Sequence, residues 1–397
     1  MVIENIDVLP DAAREIAREV LIHGPVERSE LGRRLDLSPA SLTRLCKPYF
    51  DAGLFVEAAE VRRPGAGRRP RPIDVRLDAR TFIGIKLTGD DATGVLTDLR
   101  ANALRTEHLT LRDTSLAGVV EQLADLVRTL ADGTDIDGVG VSIGGRVRDR
   151  RVVAQAVFLG WEEVDLATAL EAATGLPVRV ENDVVALMSA EHWFGPARGL
   201  DSFALVTIGA GVGYALVIRG EIVTSPDVAL APMGHAPLEP NGPLCELGHR
   251  GCATAVLTIP GLCAQVASVR GAPVTYDELL ADADAGDVVC AAVVGSAARA
   301  LGRLAAWIAN ATTVTTIVLS GEANGLFGIA EPVVRDACTA DRQPDSTPMQ
   351  FIVERPDFIM WARGAAAVAI QDLVVGSPSA GRVGGDAPRA TGEAGPA

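Results

Sequence analysis

The sequence predicts an α/β protein in which a small helical head precedes a large body of alternating strands and helices. Three observations predict this division. Residues 11–60 are dense in helical signals, and from residue 81 short apolar strands alternate with helices. The end of the chain is rich in Gly, Ser, Ala and Pro. The predicted boundaries are a head over 1–78, a body over 79–375 and a disordered tail over 376–397.

The head opens with two predicted helices. Ile16, Val20 and Leu21 mark the apolar face of the first helix, which ends at Gly24 before a proline. A second, shorter helix begins at Ser29 and ends near the apolar residues that precede the next turn. Helices of this length, joined by tight turns, are typical of small DNA-binding modules.

A third helix and a wing complete the predicted head. Ser38 is a good N-cap, and Pro39 suits the first helical position. With the second helix, this third one forms a helix-turn-helix arrangement. Predicted strands over 54–56 and 73–77 flank a wing over 62–72, which makes the head a winged helix-turn-helix.

The third helix is the candidate recognition helix, because hydroxyl and basic side chains on its polar face can reach base edges and phosphates in a major groove. These candidate DNA contacts are Ser41, Thr43, Arg44 and Lys47. The wing adds a basic, proline-extended arm similar to those that lie in minor grooves. Its candidate contacts are Arg68, Arg69 and Arg71. The competing interpretations are a helical interaction module with a solvated basic face and an ordinary Arg-Pro linker.

Charge is distributed unevenly along the chain. The net charge is -15, yet the first 76 residues hold 13 basic and 12 acidic side chains. This balance excludes a protein that coats nucleic acid over its whole surface, and it fits a DNA-binding head on an acidic body. No secretory signal is visible, and the longest apolar region, Ala291–Ala311, is interrupted by Arg299 and Arg303. We therefore expect a cytoplasmic protein without a membrane partner.

Two stretches of the body are candidates for binding a phosphate and for general-base action. The glycine-rich segment 207–213 lies at a strand-turn-strand junction, where backbone amides can approach a phosphate; a tight β-turn is the alternative. Asn182 and Asp183 follow a strand and open a helix. Asp183 could act as a general base on a hydroxyl, with Asn182 orienting the substrate, or the pair could be an ordinary helix cap.

A Gly/Pro-rich loop over 233–253 concentrates possible metal ligands. His235, Cys245 and Cys252 are soft ligands of the kind that zinc prefers, and His249 lies between the two cysteines as a possible fourth. The alternative is a loop histidine beside two reduced thiols. Since no export signal is visible, the six cysteines are expected to be thiols or ligands rather than a disulfide framework.

Together these motifs resemble the ROK family (repressors, open reading frames and sugar kinases). Residues 11–75 resemble the winged-helix head of ROK repressors, and 81–375 resemble the sugar-kinase body. The segment from Gly234-His235 to Gly251-Cys252 is similar to the family pattern Glu-x-Gly-His followed by Cys-x-Cys-Gly-x-x-Gly-Cys-x-Glu. The resemblance implies a two-lobed, actin/hexokinase-like body whose cleft holds sugar and nucleotide, and it implies that Asn182, Asp183 and His235 contact a small ligand.

The first phosphate loop departs from the family pattern. The family sequence Gly-Ile-Asp-Leu-Gly-Gly-Thr-Lys is replaced over residues 84–91 by Gly-Ile-Lys-Leu-Thr-Gly-Asp-Asp. Lys86 stands in place of the acid, and Asp90 and Asp91 stand where Thr and Lys would bind phosphate. Carboxylates repel a polyphosphate, so neither ATP binding nor enzymatic activity is expected.

The sugar and metal positions depart as well. Pro232, Thr254 and Phe158 replace polar family residues of the sugar site, and Leu247 replaces one cysteine ligand of zinc. Because Leu247 should place an apolar side chain in the ligand shell, we narrowly favour an empty or weakened zinc site over an occupied one, with His249 as the possible replacement ligand.

The resulting prediction is a ROK-type DNA-binding transcriptional regulator, a repressor, that assembles as a homodimer or homotetramer on operator DNA. Its degenerate kinase body binds a small effector, for which a sugar or sugar derivative is the first candidate. The first alternative is an ATP-dependent sugar kinase with Asp183 as general base; in the leading prediction Asp183 is a vestigial base. A structural interaction protein with a vestigial head is the second alternative.

Overall fold

A computed structural model describes residues 9–58, 71–225, 227, 232–354 and 358–376. Its head contains three helices, as predicted: α1 (Asp11–His23), α2 (Arg28–Arg34) and α3 (Pro39–Asp51). Strands β1 (Phe55–Glu57) and β2 (Ile73–Val75) form an antiparallel pair at the base of the predicted wing. Most of the wing, including Arg68 and Arg69, and the predicted tail from residue 377 onward lie outside the described residues.

The described part of the body contains two five-stranded sheets and one of three strands, which confirms the predicted α/β class. The first sheet has the order β10-β6-β3-β4-β5, the second β13-β12-β11-β14-β15, and the small sheet β7-β8-β9. The strands are β3 (Phe82–Leu87), β4 (Asp91–Thr97), β5 (Ala103–Thr110), β6 (Gly138–Ile143), β7 (Arg146–Arg148), β8 (Val152–Ala156), β9 (Trp161–Asp165), β10 (Val178–Asn182), β11 (Phe203–Ile208), β12 (Val212–Ile218), β13 (Glu221–Ile222), β14 (Thr316–Ser320) and β15 (Gln350–Val353).

Helices cover both sheets and complete two lobes, the first lobe on the first sheet and the second lobe on the second. In the first lobe, α4 and α5 pack on one face of the sheet; in the second, the long α10 packs with α11. The body helices are α4 (Leu116–Ala131), α5 (Leu166–Thr174), α6 (Asp183–Trp193), α7 (Ala253–Leu257), α8 (Ile259–Arg270), α9 (Tyr276–Asp284), α10 (Val288–Thr312), α11 (Gly325–Ala340) and α12 (Phe358–Ile370).

Helices α6 and α12 lie between the two sheets and pack against each other. Glycines make this close packing possible. A Cβ atom on Gly84 or Gly140 would come within 1.9 Å of a backbone carbonyl of α12. A Cβ on Gly364 of α12 would lie 2.7 Å from the Ala186 carbonyl carbon of α6. At all three glycines the nearest atoms are backbone atoms, so no change of rotamer could make room for a side chain. The interlobe helices are therefore packed closely against the first sheet and against each other.

Two segments of the described chain, α10 and Phe358–Val375, are long and apolar enough to cross a membrane. Both bury much of their surface inside the protein. α10 buries side chains such as Leu301 and Leu304 in the core of the second lobe, and α12 is enclosed by the first sheet and α6. The apolar region that includes Arg299 and Arg303 is therefore a core helix, as predicted.

The hydrophobic core of the head continues into the body. Val20 and Leu21 of α1 belong to one buried cluster with Phe82 of β3, Trp193 at the end of α6 and Val374 just beyond α12. The chain after α12 forms a π-helical turn, Gln371–Val375, which packs on α1. The head is therefore seated on the ends of both interlobe helices. The domain boundary at 78/79 stays a prediction, because apolar packing crosses it.

Candidate functional site

The polar face of α3 is presented as the sequence predicts. Ser38 caps the helix by accepting a hydrogen bond from the Ser41 amide at 3.2 Å. Leu42 and Leu45 are buried in the head, so Thr43, Arg44 and Lys47 face outward. The Thr43 hydroxyl donates back to the Pro39 carbonyl, and Lys47 pairs with Asp51 one turn on. Within the described chain, Arg44 makes no side-chain hydrogen bond or ion pair.

An ion-pair group fixes the base of the wing. Glu57 at the end of β1 accepts from Arg28 of α2 and from Arg71 just before β2, both at 3.3 Å. Arg71 is exposed, so it can also face a phosphate, but a contact with DNA would compete with Glu57. The other two predicted arm contacts fall in the part of the wing that is not described.

A mostly buried ion pair, which no sequence motif indicates, lies between the two lobes. Lys86 on β3 donates through Nζ to Oδ2 of Asp183, at the start of α6. The same Nζ lies 5.1 Å from the centroid of the Trp361 ring of α12, a cation–π distance. The Asp183 carboxylate, the candidate general base, is thus already hydrogen-bonded to a cationic side chain, with which a substrate hydroxyl would have to compete.

Asn182 is a helix cap. Its Oδ1 accepts hydrogen bonds from the amides of Val184 and Val185, and its Nδ2 donates to the Gly145 carbonyl at 2.9 Å. The side chain is almost fully buried. The second N–H of Nδ2 could still bond a ligand. Contact between Asn182 and an effector therefore stays a prediction, in addition to the capping role seen here.

Each of the two candidate phosphate loops has a carboxylate close to it. The first is a tight β3–β4 hairpin. In it the Thr88 hydroxyl donates a hydrogen bond to the Asp91 carboxylate and accepts one from the Asp91 amide. In the second, which joins β11 to β12, a Cβ on Gly209 would lie 1.9 Å from Oε2 of Glu322. A carboxylate therefore sits against each loop, where kinases need donors for phosphate oxygens.

The substituted sugar positions offer few polar groups. The Thr254 hydroxyl is used internally, donating to the Gly234 carbonyl at 2.7 Å. Phe158 is 78% exposed and lies beside Gly89 and Gly144, near the Asp183 carboxylate. An exposed aromatic ring at this position offers a stacking surface for a small ligand in place of hydrogen bonds.

Four possible metal ligands converge in the loop after residue 232. Nδ1 of His235 lies 3.9 Å from Sγ of Cys245 and 3.7 Å from Sγ of Cys252. Nδ1 of His249 lies 3.7 Å from Sγ of Cys245, and the four ligand atoms are all within 4.8 Å of one another. Zinc bonds of about 2.0–2.3 Å imply ligand–ligand edges of roughly 3.3–3.8 Å in a tetrahedron. The donor set therefore fits zinc.

The prediction that Leu247 enters the ligand shell is wrong. Leu247 is 69% exposed, because the loop turns sharply after it at Gly248, which has a φ of 82°. The Gly248 amide donates to the Cys245 carbonyl and the Cys245 amide to the His249 carbonyl. This tight turn points Leu247 outward and brings His249 to the fourth corner.

The pKa shifts of His235 and Cys245 favour metal binding, whereas that of Cys252 opposes it. Burial, and then repulsion by His249, lowers the pKa of His235, which favours the neutral imidazole that ligates metals. Burial raises the pKa of the Cys245 thiol, but backbone hydrogen bonds from His249 and Leu247 outweigh it, so that the pKa is lowered. Burial raises the pKa of Cys252.

Comparison with known proteins decides the family. The ROK family model matches residues 82–371, most of the chain. The chain belongs to the ROK family. It is 24% identical over 371 residues to the DNA-binding transcriptional repressor Mlc of Escherichia coli, covering 88% of this chain and 90% of Mlc. It is 33% identical to the glucokinase of Thermotoga maritima, but over only 44% of this chain and 56% of that enzyme.

A solved structure supports the same fold. The crystal structure of a ROK family transcriptional regulator, described as a homolog of E. coli Mlc, superimposes with a TM-score of 0.79 at 23% identity. The superposition covers 92% of this chain and 96% of that one. It confirms the predicted fold, a winged helix-turn-helix head on a two-lobed ROK body.

We expect this ROK protein to hold one zinc ion per chain when purified without added metal, because four ligand atoms converge within 4.8 Å of one another and three of their separations are 3.7–3.9 Å. Elemental analysis measures the content. His249→Ala should lower zinc affinity by about 10-fold or more, since structural sites normally use four ligands. Leu247→Ala is the matched control in the same loop and should leave the zinc content unchanged. A metal-free wild-type protein would restore the empty-site prediction.

Proposed function

We propose that this ROK chain is a DNA-binding transcriptional regulator, a repressor, whose winged head binds operator DNA and whose kinase-like body binds a small effector. The observation that carries the proposal is the exposed polar face of α3, presented by a helix-turn-helix that is packed onto a ROK body. The match to Mlc supports it: the match covers 88% of the chain, so it must extend into the head, which lies outside the family match at 82–371.

Operator DNA would be contacted by two heads of a homo-oligomer. A recognition helix reaches about one turn of the major groove, so two-fold related heads fit a site with two half-sites. Thr43, Arg44 and Lys47 would approach base edges and phosphates, and the wing arm would follow the minor groove. Dimer and tetramer both satisfy this geometry.

The effector would bind between the lobes. Phe158 offers an aromatic face, and His235 uses Nδ1 toward the cysteines, which leaves Nε2 for a ligand hydroxyl. Zinc, when bound, would hold the loop that carries His235 in one conformation. A sugar or sugar derivative is the first candidate, because its apolar C–H face can stack on Phe158 while one of its hydroxyls bonds His235. A ligand that binds the closed cleft more tightly than the open one would shift the population of head orientations, and hence affinity for DNA.

A kinase is the weaker candidate, and we expect negligible ATPase and sugar kinase activity. Lys86 neutralises Asp183, and carboxylates of Asp91 and Glu322 sit at the two phosphate loops. A coupled assay with hexoses and amino sugars measures the rate. Turnover at ordinary kinase values of about 1–100 per second, abolished by Asp183→Ala, would overturn the regulator assignment.

DNA binding is tested directly through the wing arm. We expect Arg68→Ala/Arg69→Ala to weaken operator binding and to lower its salt dependence, because each phosphate contact removed reduces the number of counterions released. Binding is measured by fluorescence anisotropy across a series of salt concentrations on the intergenic DNA beside the gene. The matched control is Arg148→Ala, which removes an exposed charge from the body. An unchanged affinity and salt slope would remove the arm from the interface.

A further inference from the structure

Two arginines hold helix α1 of the head, and they reach it through different lobes. Arg100 belongs to the β4–β5 turn of the first lobe. Arg18 belongs to α1 itself and reaches the β12–β13 turn of the second lobe. One short helix therefore bridges the two halves of the body.

The attachment to the first lobe is the stronger of the two. Arg100 donates to the carbonyls of Leu21 and Val20 at 2.9 and 3.0 Å, and to the Asp74 carboxylate at 2.6 Å. Both carbonyls lie in the last turn of α1, where the helix dipole favours a cation, and the Val20 carbonyl also accepts from the Gly24 amide at 2.9 Å. The contact is mostly buried and is reinforced by the apolar cluster shared by the head and the body.

The attachment to the second lobe is lighter. Arg18 donates through Nη2 to the Gly220 carbonyl at 2.6 Å and through Nη1 to Glu221 at 3.2 Å. Glu221 is largely exposed, so its ion pair contributes little, and the carbonyl contact carries most of the attachment. The Arg18 contact therefore holds the head, which is fixed to the first lobe, at one position relative to the second lobe.

We propose that Arg18 is a positioning residue that ties the DNA-binding head to the second lobe, so that the interlobe angle sets the orientation of the head. The proposal of this attachment depends only on the contacts of Arg18. The proposal that the attachment serves regulation depends also on the proposed function. Helix α6 connects the candidate effector site to the head. It begins at Asp183 and ends at Trp193, which packs in the apolar cluster under the head.

Spin-label distances in the full chain test the tie. Labels are carried by a noncanonical amino acid, since the chain has six free cysteines, at the exposed positions Arg33 in the head, Glu121 in the first lobe and Asp336 in the second. Labelled protein is diluted with unlabelled chain so that only intrachain distances are recorded. We expect Arg18→Ala to abolish the narrow 33–336 distance peak and to leave the 33–121 peak unchanged.

Matched variants separate a tie from a general loosening. Arg14 lies on the same helix and pairs with Asp11 inside α1, so in Arg14→Ala both distance peaks should stay narrow. Arg18→Lys should restore much of the 33–336 peak, because an ammonium can still donate to the Gly220 carbonyl. An unchanged 33–336 peak in Arg18→Ala would overturn the proposal, and so would equal broadening of both distances.

Operator fragments with varied half-site spacing connect the tie to regulation. Wild-type protein should prefer one spacing, and Arg18→Ala should bind the same half-sites with a flattened spacing preference. A wild-type protein that binds no DNA would defeat the proposed function while the distance measurements still decide the tie. A preserved spacing preference in Arg18→Ala would show that the contact does not orient the head.

Discussion

Arg44→Ala is expected to weaken operator binding by about 1–3 kcal/mol, roughly 5- to 150-fold, and to relax sequence preference at one base pair in each half-site. Arg44 projects from the middle of α3 and makes no side-chain bond within the described chain, so its guanidinium can bond a guanine without first losing another partner. Thr43 and Lys47 already have partners in the helix. Affinity is measured by anisotropy on the wild-type operator and on single-base variants.

The control for Arg44 is Arg128→Ala, which removes the same charge from the exposed face of α4 in the body. This variant should bind the operator as the wild type does. If Arg44→Ala lost affinity equally on every base variant, Arg44 would be a phosphate contact rather than a base contact. If it bound as tightly as the wild type, α3 would not be the recognition helix.

Lys86→Met is expected to lower the free energy of unfolding by roughly 3 kcal/mol, because it leaves the Asp183 carboxylate without its cation in a mostly buried site. The figure is at the lower end for a buried pair, since Asp183 keeps some exposure to solvent. The measurement is urea denaturation followed by circular dichroism.

The double variant Lys86→Met/Asp183→Asn supplies the control. It removes both charges and keeps the side-chain volumes similar, so most of the lost stability should return. Equal stability of Lys86→Met and the wild type would mean that the ion pair contributes nothing to folding, and the variant would then carry Asp183 without its cation. The kinase assay would then have to be repeated on that variant.

Much of the fold could be predicted because local signals agreed with burial. Ser38 and Pro39 fixed the start of α3, and the apolar runs of β3, β6 and β11 are buried throughout. Strand β5 cannot be predicted from its own residues, because it lies at the edge of its sheet with alternately exposed residues and resembles a polar loop.

The candidate site was harder to predict, since its contacts join distant parts of the chain. Lys86 and Asp183 are 97 residues apart, and only the pairing of β3 and β10 with β6 brings them together. The sequence named all four members of the metal cluster. It gave the wrong orientation for Leu247, because the outcome depends on the positive φ of Gly248, which a glycine permits and a sequence pattern does not reveal.

The shared apolar cluster under the head has a consequence for how the protein unfolds. Because Phe82, Trp193 and Val374 are covered on one side by α1, separating the head would expose them to water. Head and body should therefore melt in one cooperative transition, and a body truncated at residue 79 should aggregate. An insertion or deletion near Leu77–Ala79 should therefore lower the solubility of the whole chain, and not only weaken its binding to DNA.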